Sequence, residues 1–269
     1  MRTTSGRSVI DLAFGLQTYT IRKLMKKDFS NSMTLIKGIK VDTLELARAP
    51  FTESTAAVLI DKGIRVVSIQ DKLRHLESHF SERIRFLKQL NIDIACVSVL
   101  PLSAIFGGKK QIDCFIKRIN ALAIIYRDQG VRLAFHHHDF EFKKIKGIFK
   151  FQLILDGLDP QIGIVMDTYW IKKSEEDILK WVNILKPRLA GVHLRDYKVQ
   201  RYGCKKATDA PVGDGEIDFQ EILGAIDKEK VYYVIEQNST DPIVDIKKSL
   251  EYLRQITKTN LKGKHDGKQ

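Results

Sequence analysis

Three consecutive histidines, His136, His137 and His138, close a short apolar run from Val131 to Phe135, and Asp139 and Glu141 follow among phenylalanines. Imidazole and carboxylate are the nitrogen and oxygen donors that divalent cations take, and they are also groups that pass protons. Left unpaired at the end of a core segment, each such group costs about 2–7 kcal/mol. A cation collecting several of them removes that cost. A His-rich surface turn is the simpler alternative, and the stretch alone does not separate the two.

What positions these groups is legible from the rest of the chain. Apolar runs read as strands at Leu12 to Thr18, Val41 to Ala47, Ile64 to Gln70, Ile92 to Leu100, Val131 to Phe135, Ile162 to Asp167, Leu189 to Leu194 and Val231 to Glu236. Between them, helical spacing of apolar residues marks Lys27 to Gly38, Ser54 to Lys62, Glu77 to Leu90, Lys109 to Gln129, Phe149 to Leu158, Glu175 to Leu185, Phe219 to Asp227 and Asp245 to Ile256. The segment Arg195 to Gly215 is polar and reads as a long loop. Strands that are nearly continuous apolar runs, alternating with helices, predict a parallel sheet, and eight such units close a (β/α)₈ TIM barrel. A doubly wound open sheet is the alternative; no Gly-rich dinucleotide loop follows the first strand to support it. No shift in composition marks a boundary. The expectation is one α/β domain over residues 1–269, with a core at about 12–256 and a basic, solvated tail at 257–269.

In such a barrel the C-terminal ends of the strands share one pocket. Those ends carry Glu45, then His136 and His138 with Glu141 just beyond, then Asp167, His193 with Asp196 beyond it, and Glu236. Singly, each has a plainer reading: Asp167 opens a turn, His193 is a satisfied core histidine, Glu236 is a surface acid, and Glu45 pairs with Arg48 on the rim. Jointly, acids and histidines closing four successive strands point to a cation site.

Composition narrows the function classes. The chain has 269 residues, 43% hydrophobic and 29% charged, enough for a sizeable core. No apolar stretch reaches the roughly 20 residues that span a bilayer, and Met1 to Asp11 contains no apolar h-region. Cys96, Cys114 and Cys204 are scattered, which suits a reducing, cytoplasmic setting. The net charge of +12 is compatible with nucleic acid. Its lysines and arginines are dispersed, however, and a small-molecule substrate is the stronger expectation.

Taken together, Phe135-His-His-His-Asp-Phe-Glu-Phe142, Met166-Asp-Thr-Tyr-Trp170, Val192-His-Leu-Arg-Asp196, Val212-Gly-Asp-Gly-Glu-Ile-Asp-Phe219, Val234-Ile-Glu-Gln237 and Gly15-Leu-Gln-Thr-Tyr19 resemble the xylose isomerase-like TIM barrel superfamily, in particular its sugar phosphate isomerase/epimerase group. The resemblance implies one divalent cation held by Glu, Asp, His and Glu from strands five to eight. Asp167, His193 and Glu236 match by position. His136 stands where the first glutamate belongs, and Glu141 is the alternative fourth ligand by residue type. Mn²⁺ or Zn²⁺ suits mixed N/O ligation best, with Mg²⁺ or Fe²⁺ next. The implied activity is isomerisation or epimerisation of a sugar, sugar phosphate or keto-sugar through a metal-stabilised enediolate. Glu236 or Glu141 would be the base, and His138 or Glu141 the acid. Losing one glutamate of a symmetric pair also suits a lyase or dehydratase acting on a keto-sugar or cyclitol. Trp170, Tyr19 and Phe140 could wall a sugar ring, and so could Phe142, which reads rather as core; Glu45 could contact substrate, and Arg195 or Lys198 could hold an anionic group or equally be solvated loop residues. An abasic-site endonuclease-like enzyme and a non-catalytic sugar-binding barrel are further alternatives. Many relatives self-associate, so a homo-oligomer is expected.

Overall fold

The computed structural model describes residues 13–199, 207–227 and 231–262. Eight parallel strands close a barrel: β1 (Phe14–Gln17), β2 (Thr43–Ala47), β3 (Arg65–Asp71), β4 (Ile94–Val97), β5 (Arg132–His136), β6 (Gly163–Asp167), β7 (Leu189–Leu194) and β8 (Tyr232–Ile235). Each pairs with its neighbour in sequence, and β8 pairs with β1 to complete the circle. Both faces of the sheet are covered, which is why the strands read as apolar runs rather than alternating ones.

Two apolar regions follow from this closure. The larger lies between barrel and helices and is filled by residues such as Phe115, Phe135, Phe151 and Trp181. The smaller lies in the barrel interior, where Cys96, Ala134, Val165 and Ala190 leave room for the ring of Tyr232. Gly191 makes that possible: a Cβ there would sit 2.2 Å from the Tyr232 ring. A narrow interior of small residues leaves the strand ends as the place where a ligand can be reached.

The helices fall where the spacing predicts them, with shifted boundaries: Phe29–Gly38, Glu53–Asp61, Phe80–Gln89, Lys109–Arg127, Lys150–Gly157, Ile178–Leu185 and Phe219–Ala225. The last helix, Pro242–Lys262, runs well into the segment expected to be a frayed tail. Arg195 to Gly215 is not simply a loop. Asp196–Val199 and Ala207–Ala210 pair as an antiparallel hairpin, which the Arg195–Asp209 ion pair ties to the barrel mouth. Short helices at Leu73–Ser78, Leu102–Phe106 and Thr168–Lys173 are additional. The N-terminal segment, Cys204 and the end of the basic tail lie outside the described residues. Among those described, no helix is long and apolar enough to cross a membrane.

Candidate metal centre

His136 and Asp167 are the last residues of β5 and β6, His193 is the penultimate residue of β7, and Glu236 directly follows β8. Each offers one ligand atom, and the four atoms lie within 4.8 Å of one another. A cation bound at about 2.0–2.2 Å separates opposite ligands by roughly 4.2 Å, so small side-chain adjustments suffice. All four residues are buried.

In each residue the other polar atom is already engaged. His136 Nδ1 lies 3.3 Å from the Ser98 carbonyl, so a proton on Nδ1 leaves the Nε2 lone pair exposed inward. Asp167 Oδ1 accepts from the backbone N–H of Tyr169 at 2.9 Å and of Trp170 at 3.2 Å, capping helix Thr168–Lys173. His193 Nε2 lies 2.5 Å from Glu45 Oε2. Glu236 Oε1 accepts from Arg195 Nη1 at 3.3 Å. The atoms left over, His136 Nε2, Asp167 Oδ2, His193 Nδ1 and Glu236 Oε2, are buried and turned towards one another, His193 Nδ1 2.8 Å from Glu236 Oε2 and His136 Nε2 3.5 Å from Asp167 Oδ2, with no hydrogen-bond partner outside the cluster. Two nitrogens and two oxygens buried this close together, one per residue and convergent, are costly unless a proton or a cation lies between them. The residues therefore fit a divalent cation with two nitrogen and two oxygen donors.

The electrostatics agree. Burial alone would raise the Asp167 and Glu236 carboxyls, but His193 and Arg195 beside both, with His136 beside Asp167, outweigh it and hold each below its usual range. Burial disfavours protonated His193, yet Glu45, Asp167 and Glu236 together lift it well above the ordinary imidazole. A site that draws a proton this strongly draws a cation for the same reason.

Glu45 is corrected from its expected place on the rim beside Arg48. It is buried and does not line the cavity. Two residues of β2 follow it, so it sits one layer below the strand ends. There it meets His193, Gln70 Nε2 at 3.2 Å and the Tyr232 hydroxyl at 2.6 Å. A carboxylate behind a ligating imidazole fixes its tautomer and ring orientation. Glu141 is likewise not brought to the cluster or the cavity. The short 3₁₀ turn Phe140–Phe142 folds it back so that Oε2 accepts from the His138 backbone N–H at 2.8 Å. His137 went unassigned in the sequence; it is buried, and its Nε2 accepts from the Asp167 backbone N–H at 3.1 Å. Gln70 and Tyr232 went unassigned too. Only the alternation of side chains along a strand, given the register, could have placed them.

The cluster opens into a cavity of about 650 Å³. Tyr19, His136, His138, Trp170, Arg195 and Glu236 line it. His138 stacks on Phe140 with ring centroids 5.0 Å apart, and burial pushes its imidazole well below the usual range. Arg195 lies over the rings of Tyr169 and Trp170 at 4.4 and 4.8 Å. Phe142 instead packs in the core against Trp181, and Lys198 is exposed on the hairpin, away from the cavity. Asp196 is not brought to the cluster: its two oxygens accept from the backbone N–H groups of Tyr197, Gly213, Gly215 and Ile217, which staples the following loop.

Known proteins share this plan. An inosose dehydratase from Bacillus velezensis is 25% identical over 178 residues; the match covers 57% of this chain and 59% of that protein's length. Among solved structures, a sugar phosphate isomerase/epimerase from Parabacteroides distasonis superposes with a TM-score of 0.74 at 18% identity, covering 93% of this chain and 96% of the other. A probable 3-DHS dehydratase from Bacillus anthracis gives 0.71 at 13% identity, covering 89% and 98%. Residues 49–256 match the xylose isomerase-like TIM barrel pattern, and with the closed eight-stranded barrel it places this chain in the xylose isomerase-like TIM barrel family.

Proposed function

We propose that the protein is a divalent-metal-dependent lyase that removes water from a keto-sugar or keto-cyclitol. The observation that carries this reading is the convergence of four buried donor atoms, one from each of four strand ends, beside the His138 imidazole, which lines the same cavity. The bound cation would polarise a substrate carbonyl or hydroxyl oxygen and favour the enediolate. His136, Asp167, His193 and Glu236 would hold it. His138 takes the proton from the carbon next to the carbonyl. It then returns that proton to the hydroxyl on the following carbon, whose C–O bond breaks so that water leaves. Its Nδ1 has no partner and its ring lines the cavity, so it is a free imidazole beside the space a substrate would fill. Glu236, engaged by Arg195, serves as a ligand rather than a proton shuttle. Trp170 and Tyr19 wall the ring.

The order of readings thus differs from the expectation of an isomerase first. Epimerisation needs a base on each face of the substrate, and His136 occupies the place of the first glutamate. The dehydratase names of the relatives weigh the same way. Isomerisation is the second reading: the same proton, returned to the neighbouring carbon instead of to oxygen, gives the isomer, and the likeness to a sugar phosphate isomerase/epimerase favours it. A nucleic-acid role finds less support. His75 and His79 stand apart from the cation cluster, the only such group among the described residues. The test is incubation of Mn²⁺-loaded protein in D₂O with a panel of keto-sugars and keto-cyclitols, each with and without a phosphate or carboxylate group, followed by NMR. Loss of water with an unsaturated product is expected. An isomeric product that retains all its hydroxyls would install the second reading, and no turnover of any keto-sugar or keto-cyclitol would remove both.

A further inference from the structure

The wall of the cavity facing the cation cluster has a different character. It is formed by the exits of β2 and β3 and carries Arg48, Lys72, His75 and Arg83, with Asp71 as its one acid. Asp71 is already consumed. Oδ2 accepts from Arg83 Nε at 3.0 Å and Nη2 at 2.8 Å, while Oδ1 meets His75 Nδ1 and the Lys72 backbone N–H at 2.8 Å each. Arg48 and Lys72 are exposed to the cavity and form no ion pair among the described residues. The remaining carboxylate lining the cavity, Glu236, is engaged by Arg195 on the far side. Arg48 also holds a left-handed backbone, φ +58°, a conformation that a side-chain-bearing residue keeps at a cost of order 1 kcal/mol or more and that clusters at binding sites. Arg48 lies 5.9 Å over the Tyr19 ring, which leaves its N–H donors without an acidic partner, and two cations without counter-charges lining a concave space attract an anion more strongly than scattered surface lysines do.

We propose that this wall binds an oxyanion group of the substrate, with Arg48 and Lys72 as its counter-charges. The inference rests on the reading of the cavity as an active site and deepens it: the substrate is a polyhydroxylated ketone carrying a phosphate or carboxylate at the end remote from the reacting carbonyl. The Asp71 bridge to Arg83 and His75 keeps the wall in place, because it holds β3 to helices Leu73–Ser78 and Phe80–Gln89. Arg83 additionally lies 4.5 Å over the Phe51 ring. The wall is thus rigid where it is paired and free where it must meet an anion.

The test uses the full chain, inorganic phosphate and acetate as separate probes, and Mn²⁺ as a third, each titrated by calorimetry or NMR. Wild-type protein treated with chelator is expected to bind at least one of the two anions saturably. The tighter one identifies the group. In the double variant Arg48→Gln, Lys72→Gln that binding should weaken roughly five- to tenfold, the range expected for losing two partly exposed charge contacts. Its Mn²⁺ affinity should change less than about twofold, since neither residue touches the cluster. Equal anion affinity in wild type and double variant overturns the proposal, as does wild-type protein that binds neither anion. Loss of Mn²⁺ binding in the wild type would instead remove the reading of the cluster while leaving the anion result standing. Both substituted side chains are exposed, so the thermal midpoint should be unchanged, and a single variant, Lys72→Gln, gives an independent reading if the pair expresses poorly.

Discussion

Asp167 and Glu236 on one hand, and Glu45 and Glu141 on the other, are all buried acids at the same mouth of the barrel. The first pair stands among two histidines and Arg195, each with one oxygen tied outside the cluster and one turned into it against an imidazole nitrogen. Glu45 lies a layer deeper and spends both oxygens on Tyr232, Gln70 and His193. Glu141 lies behind the His138 backbone, apart from Arg195 and the cluster histidines, and burial outweighs the His138 N–H and Lys150 and pushes its carboxyl up to about 8. The same functional group is therefore a ligand, an orienting support or a neutral core acid, according to what its two oxygens meet. Residue type decides what is available. Depth along the strand decides which of the three it becomes.

The sharpest break in this comparison is Asp167→Asn. The amide keeps an acceptor for the cap on helix Thr168–Lys173 but removes the charge and one donor of the cluster. Mn²⁺ affinity should fall by more than about a hundredfold, beyond the loss typical of a supporting residue. Calorimetric titration at pH 8 measures it. Retained affinity would show that Asp167 is not among the ligands, and the distinction between the two pairs would vanish.

Glu45→Gln is the next largest. The amide oxygen still accepts from Tyr232 or Gln70, so folding should be preserved, but the negative charge behind His193 is gone. About a tenfold loss of Mn²⁺ affinity is expected, the range for an outer partner of a ligating imidazole. Two effects compete. Losing Glu45 loosens the ring and weakens its basicity towards the cation, while it also makes His193 easier to deprotonate. The second effect matters only while His193 carries a proton that the cation must displace. The deficit should therefore shrink as pH is lowered towards 6, and titrations across pH 6 to 9 would show it. A loss as large as that of Asp167→Asn would make Glu45 a ligand in its own right.

How far these roles were legible beforehand follows from the same geometry. The barrel could be read because its strands are covered on both faces, so Ile164 to Met166 and Val192 could only be core. The cluster could be read because His136, Asp167 and Glu236 sit at strand ends, where a break in apolarity is visible in one dimension. Glu45 could not, because two residues of depth in β2 separate a rim residue from a buried one, and that depth is set by register with β1 and β3. The hairpin after β7 was hidden for another reason. Asp196–Val199 and Ala207–Ala210 are short and polar, and their pairing is imposed by partners far away in sequence, such as Asp209 for Arg195 and Gly213 for Asp196. The helix Thr168–Lys173 depends on Asp167 acting as both cap and candidate ligand, a double use that spacing alone does not reveal.

Glu141→Gln tests the remaining member of the comparison and carries the smallest effect. Glu141 is an acid whose carboxyl is raised from 4.5 to about 8 by burial. Below about 4.5 it is protonated in both folded and unfolded chains, and it has no effect on the pH dependence. Between about 4.5 and 8 the unfolded chain ionises while the folded one resists, so stability falls as pH rises through that window; above about 8 the penalty is complete. Gln keeps the acceptor for the His138 N–H and never ionises. The variant should therefore lose less stability than the wild type between pH 5 and pH 8, by on the order of 1 kcal/mol once relaxation around a buried acid is allowed for. Urea denaturation at both pH values, taken as the difference between the two proteins so that other titrating groups cancel, gives the number. A slope unchanged by the substitution would mean that Glu141 is ionised in the folded chain. It would then need a cationic partner, and the line drawn here between it and the cation-binding acids would have to be redrawn.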